Sequence, residues 1–171
     1  MRARDITLIA LLLAVTGILS LISIPLPFSP VPVTGQTLGV MLAGMLLPPR
    51  KAGLAMLAYL LLGAAGAPVF AGGSGGFSVI AGPTGGYLLG FVPAAMTIAL
   101  LRSPRLLRQA AALTAGLLCI YVPGTVWLSQ VTGLGIRTAL ALGVLPYLPG
   151  DLFKAAITIA VAAKLKPAPG R

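Results

Sequence analysis

The sequence predicts an all-α integral membrane protein with six transmembrane helices, and three observations carry that prediction. Apolar residues fill 58% of the 171 positions and charged residues only 8%, where an ordinary soluble domain carries about 25% charged residues. Mean hydropathy is accordingly high, at +1.04. Residues 6–49, 52–101 and 109–136 contain no charge at all. A helix needs about 20 apolar residues to cross the hydrocarbon core, so the first two stretches hold two crossings each and the third holds one. Residues 147–163 supply the last.

The placement of charge sets the orientation. Of the twelve basic residues, ten fall in four clusters: Arg2 and Arg4; Arg50 and Lys51; Arg102, Arg105 and Arg108; Lys164, Lys166 and Arg171. Six crossings bring all four clusters to one side, which the positive-inside rule makes cytoplasmic. Both termini are then expected in the cytoplasm. The net charge of +10 is thus a topology signal, and no nucleic-acid partner is expected. Arginines before the first apolar run imitate a signal peptide. Five further crossings and the parity of the clusters favour a retained helix.

The first crossing is expected over residues 6–24. It ends in Pro25-Leu-Pro-Phe-Ser-Pro-Val-Pro32, where four prolines in eight residues cannot continue a helix. A stiff extended segment follows, apolar enough to dip into the membrane as a lid over an outer pocket, or to serve as a plain connection. The second segment, residues 35–47, is short, with Thr34, Gln36 and Thr37 at its outer end. A turn at Pro48-Pro-Arg-Lys51 leads to the third, residues 52–66.

The outer connection over residues 67–86 is rich in glycine, which lets backbone approach a ligand closely. Val69, Phe70, Phe77, Val79 and Ile80 interrupt the glycines, so a folded loop with apolar anchors is expected. The fourth crossing spans residues 87–101, with Pro93 as a kink. The fifth spans 106–130, with a bend at Pro123-Gly124 and Trp127 near the outer interface. A weakly helical connection over 131–146 leads to the sixth helix, 147–164. Small residues four apart recur: Ala10 and Ala14, Gly35 and Gly39, Gly86 and Gly90, Ala95 and Ala99, Ala156 and Ala160. Such spacing lets helices pack closely, and internal packing is the default reading for most of them.

The chemistry absent from the chain narrows its function. It has no histidine and one cysteine, which excludes the usual zinc ligand sets and a histidine-based triad. No glycine is followed directly by lysine, so no phosphate loop of the Gly-x4-Gly-Lys kind is present. Cys119, alone in an apolar run, reads as a buried hydrophobe. An enzyme is not expected, and no cofactor is called for.

What remains is Asp151, one of only two acidic residues, three positions before Lys154 at the outer end of the last helix. Intramembrane charges are costly and are usually kept for function. One reading makes Asp151 a helix cap with Lys154 as its partner. The other makes the pair a ligand site. The carboxylate suits a planar urea or amide bearing two N–H groups, and the ammonium suits a carboxylate or a carbonyl oxygen. Phe70, Phe77 and Tyr87 would then wall the hydrocarbon part of the ligand, and Thr34, Gln36 and the glycine loop at Gly73 lie at similar depth.

Four motifs, Val31-Pro-Val-Thr-Gly-Gln-Thr-Leu-Gly-Val40, Pro68-Val-Phe-Ala-Gly-Gly73, Gly82-Pro-Thr-Gly-Gly-Tyr87 and Leu148-Pro-Gly-Asp-Leu-Phe-Lys154, together resemble the BioY family. These are the biotin-specific substrate-binding subunits of energy-coupling-factor transporters. The resemblance spans nearly the whole chain in order. It implies the six-helix S-component fold, with a biotin pocket open to the outside and lidded by the loop after the first helix. Implied partners are a membrane-embedded coupling subunit and a pair of cytoplasmic ATPases, in a bacterial or archaeal cell membrane. Ala10 and Ala14 match the Ala-x-x-x-Ala that meets the coupling subunit, and Asp151 and Lys154 match the ligand-binding acid and lysine. The implied mechanism is reorientation of the whole subunit, driven by ATP in its partners. Lys154 could take biotin's carboxylate or its ureido oxygen, and Arg137 is the only other cation on the outer side. A stand-alone, ion-coupled transporter of biotin or a similar vitamin, and a ligand-free structural protein, are the competing readings.

Overall fold

The computed structural model describes residues 3–165. Arg2, Lys166 and Arg171 of the basic clusters lie outside them. The order of elements is α1 (Ala3–Ser20), β1 (Ser23–Leu26), β2 (Ser29–Thr34), α2 (Gln36–Leu46), α3 (Pro49–Ala64), α4 (Phe77–Ala81), α5 (Gly85–Leu101), α6 (Leu106–Thr132), α7 (Ile136–Gly143) and α8 (Leu148–Lys164). Ala3–Ser20, Leu106–Thr132 and Ile136–Lys164 are each long and apolar enough to cross a membrane, and α2 and α5 are shorter apolar helices.

α1 stops earlier than its apolar run does. Beyond Ser20 the chain turns, and residues 23–34 fold into an antiparallel hairpin with Ser23 opposite Thr34, Ile24 opposite Val33 and Leu26 opposite Ser29. The stretch expected as plain extended chain is therefore a two-stranded ribbon. Each of its strands keeps one unpaired edge, the position at which a sheet tolerates prolines that cannot donate. At its base the Gly35 amide donates to the Ile22 carbonyl.

α2 has only 11 residues, a length of about 16 Å, half the hydrocarbon thickness of about 30 Å. Its inner end meets α3 through Pro48, and Pro49 occupies the first turn of α3, where its missing N–H costs nothing. α2 alone is thus too short to cross the hydrocarbon core, and the hairpin joins its outer end, at Gln36 and Thr37, to α1.

α5 and α6 run unbroken past Pro93 and Pro123. Pro123 cannot donate to the Cys119 carbonyl, and α5 packs closely there. A Cβ on Gly90 would stand 2.6 Å from that oxygen, and one on Gly86 would overlap Trp127. Gly35 and Gly39 do the same service for α2 against Leu19 and Thr16 of α1, and Ala95 and Ala99 are buried. These small-residue pairs are internal. Ala10, Ala14, Ala156 and Ala160 are exposed.

The inner end is tied by charge. Lys51 Nζ lies 2.6 Å from Asp5 Oδ1, joining the starts of α1 and α3, and Arg102 donates to the Met45 carbonyl, joining the ends of α5 and α2. Among the described residues, every basic cluster thus falls at the same end of the bundle. At the opposite end the glycine-rich connection is folded. Phe70 is buried against Gly63, Tyr59 Oη donates to the Val69 carbonyl at 2.6 Å, and Trp127 Nε1 donates to the Gly82 carbonyl at 2.9 Å. Gly72, Gly73 and Gly76 take positive φ there, which side chains would resist.

Candidate functional site

A cavity of about 60 Å³ opens between the hairpin, the glycine-rich connection and helices α2, α5, α6 and α8. Its walls are Phe70, Phe91, Leu88, Ile120 and Val31, and its polar groups come from Thr34, Gln36, Thr37, Tyr87, Tyr121, Tyr147, Asp151 and Lys154.

Asp151 is the fourth residue of α8, whose N-cap position is Tyr147, so Asp151 is not the cap, while Lys154 one turn on is its partner. The carboxylate is 2% exposed and is taken up by three donors. Thr37 Oγ1 donates to Oδ1 at 2.8 Å, and Lys154 Nζ lies 2.8 Å from the same oxygen. Tyr121 Oη donates to Oδ2 in a short hydrogen bond. Lys154 also donates to Thr37 Oγ1 at 2.9 Å, which closes a ring of acid, hydroxyl and ammonium. Desolvating such a pair costs several kcal/mol per ion, and this degree of coordination is what offsets it.

Gln36 bridges helices. Its Nε2 donates to Tyr59 Oη at 2.6 Å and its Oε1 accepts from Thr34 Oγ1 at 3.0 Å. Thr34 and Gln36 thus line the cavity and also fix the end of α2 against α3. Tyr87 is 7% exposed, and its hydroxyl, beside Thr125, makes no hydrogen bond of good geometry among the described residues. It abuts Gly143, where a Cβ would overlap the oxygen. A buried hydroxyl left unpaired costs about 1–3 kcal/mol, and this one borders the cavity.

Two expected site residues lie elsewhere. Phe77, foreseen as a wall, is 72% exposed, because α4 begins there and turns the ring outward. Gly73 serves the turn of its own connection, with a positive φ of 77°, and its neighbour Ala71 lines the cavity instead. Arg137 sits on the exposed side of α7 and does not line the cavity. Thr37 and Tyr121, which the sequence reading did not assign to the site, touch its carboxylate directly. A tyrosine in mid-span, two residues before a proline, was the available signal for Tyr121.

The hairpin covers the outer side and is held down. Ser29 Oγ donates to the Leu142 carbonyl at 3.0 Å and lies 2.9 Å from Tyr147 Oη. Tyr147 Oη in turn donates to the Val31 carbonyl.

The fold and the cavity define a multi-pass membrane protein with an apolar-walled pocket resting on a largely buried ion pair, a solute-binding component of a transport system. The chain belongs to the BioY family, whose model matches residues 1–171. It is 43% identical to a probable biotin transporter of Pyrococcus horikoshii over 97% of this chain and 98% of that one. It is 39% identical to the biotin transporter of Rhizobium etli, over 92% and 90% respectively. Its structure matches a crystal structure of the S-component for biotin from an ECF-type ABC transporter, with a TM-score of 0.90 and 30% identity over 99% of this chain and 96% of that one. The chain is accordingly an S-component-like subunit of the cell membrane and not an enzyme.

Proposed function

We propose that this chain captures biotin from the outer side and passes it inward as the substrate-binding subunit of an ATP-driven importer. The observation that carries the reading is the Asp151–Lys154 pair, buried at the polar floor of an otherwise apolar cavity in a chain of this family. A ureido ring offers an N–H donor that matches a carboxylate oxygen, and a bicyclic ring with an aliphatic tail matches the walls of Phe70, Phe91 and Ile120. Asp151 receives a ureido N–H group, while Lys154 serves an acceptor oxygen of the ligand. Tyr87, with its unpaired hydroxyl, is a further contact.

The partners of this reading are a membrane-embedded coupling subunit and a pair of cytoplasmic ATPases. Support comes from Ala10 and Ala14, which are four apart on α1 and exposed while the internal small-residue pairs are covered. Titration calorimetry of the purified chain tests the binding half. Biotin should bind without ATP, and Asp151→Asn should weaken binding about a hundredfold or more, as truncating one member of a buried, hydrogen-bonded charge pair does. Unchanged affinity in that variant would remove Asp151 from the site.

A further inference from the structure

Gln36 lines the cavity at the start of α2, yet a residue outside the cavity decides which end of its amide donates. Tyr59 of α3 is wholly buried and does not line the cavity. Its hydroxyl donates to the Val69 carbonyl at 2.6 Å. A carbonyl can only accept, so the single hydroxyl proton of Tyr59 is spent there, and its oxygen is left to accept. Ser20 Oγ, beside the same hydroxyl, spends its own proton on the Gly17 carbonyl at 2.6 Å. The group that Gln36 turns toward Tyr59 is therefore its NH2, with Nε2 lying 2.6 Å from Tyr59 Oη. Oε1 then faces the other way and accepts from Thr34 Oγ1 at 3.0 Å. Donation runs in one direction, from Thr34 through Gln36 and Tyr59 to Val69.

Beyond these bonds the amide keeps one N–H and one acceptor position, the acceptor on the side of Thr34 and the donor on the side of Tyr59. Thr34 alone could not set this order. A hydroxyl accepts as readily as it donates, so an amide turned end for end would satisfy it equally. Tyr59 removes that freedom, because its proton is committed to a backbone carbonyl. We infer that Tyr59 is a positioning residue, which acts through Gln36 to fix the order of donor and acceptor that this edge of the cavity shows to its ligand. The inference rests on the reading of the cavity as the biotin site. The ring of Tyr59 also meets Phe70 edge-on at 5.6 Å and stacks on Phe91 at 6.3 Å. Phenylalanine keeps both ring contacts, so Tyr59→Phe isolates the hydroxyl.

The test is biotin affinity of the full chain in detergent, by titration calorimetry at a temperature where each variant is folded. Tyr59→Phe should weaken biotin about five- to tenfold, the value of one neutral hydrogen bond, and Gln36→Leu by at least as much. In the Gln36→Leu background, Tyr59→Phe should cost less than about a further twofold, since no amide is left to orient. Were Tyr59 only pinning the glycine-rich connection at Val69, its loss would be the same in both backgrounds. Replacing Tyr59 by 4-aminophenylalanine gives a second probe that keeps the fold bonded. The amine still donates to Val69 but offers Gln36 a second N–H in place of an acceptor, which turns the amide over. Its affinity should fall as far as that of Tyr59→Phe. Full affinity in either Tyr59 variant would overturn the inference, and so would an undiminished loss in the Gln36→Leu background. Should Tyr59→Phe fail to fold, the 4-aminophenylalanine variant decides alone. Failure of the parent chain to bind biotin would instead sink the reading of the cavity itself, and is separable from these outcomes.

Discussion

At the scale of single residues, the site turns on groups that are buried and polar at once. Tyr87 shows this most simply. Its hydroxyl is covered and makes no hydrogen bond of good geometry, so in the absence of ligand it contributes no such bond to the fold. Tyr87→Phe is therefore expected to leave thermal stability in detergent unchanged or slightly raised. Its biotin affinity should fall about three- to tenfold, the value of one neutral hydrogen bond. A loss of stability with intact affinity would show that the hydroxyl serves the fold and not the ligand. Asp151 and Lys154 were legible in the sequence because charge inside an apolar run is rare and conspicuous. Thr37 and Tyr121 were not, since threonine and tyrosine occur throughout such runs and only the crossing of α2, α6 and α8 brings three positions, 37, 121 and 151, onto one carboxylate. Phe77 misled for the opposite reason. An aromatic residue in a glycine-rich stretch reads as an anchor, and nothing in the sequence says which of Phe70 and Phe77 turns inward.

At the scale of elements, the helices were largely readable and the outer connections were not. The charge-free runs and prolines of the sequence fall on α1, α2, α3, α5, α6 and α8, of which α2 is only 11 residues long. The exceptions have physical causes. α1 ends early because residues 23–34 satisfy their backbone groups by pairing with each other, which four prolines conceal. α7 is set in a connection whose apolar content overlaps that of α8. The closest seam is that of α5 and α6, where Gly86 and Gly90 admit the backbone of α6. A side chain at Gly90 would press on the Cys119 and Ile120 backbone, which cannot yield as a flexible side chain would. Gly90→Val should therefore lower stability by about 1–3 kcal/mol or more, seen as a reduced melting temperature of the purified chain. An undisturbed melting temperature would mean that the two helices can part without cost.

At the scale of the whole molecule, the two ends are built for different tasks. The inner end carries the basic clusters and the Asp5–Lys51 bridge, and the outer end carries the hairpin, the folded glycine connection and the cavity. Between them, α1 offers Ala10 and Ala14 on an exposed face. Substituting both by tryptophan should leave biotin affinity within about twofold, since neither lines the cavity. Biotin uptake by cells supplying the coupling subunit and ATPases should be abolished, because close helix approach requires small side chains. Uptake at the parent rate would move the docking face elsewhere. Ala156 and Ala160 on α8 are exposed in the same way, and sequence spacing alone could not separate these two pairs from the buried ones. That distinction needs the three-dimensional packing.

The hairpin that roofs the cavity has a consequence in time. Ser29 is bonded to the Leu142 carbonyl and to Tyr147, and Tyr147 to the Val31 carbonyl, so these hydroxyl bonds must break for the roof to lift. Loosening the roof should chiefly shorten residence, because binding differences among variants of one site are expressed mostly in the off-rate. With Ser29→Ala or Tyr147→Phe, chase experiments with labelled biotin should show release accelerated about tenfold, and association changed far less. A protein that scavenges a dilute nutrient would by this means hold its catch through the wait for its partners, long after the encounter that delivered it.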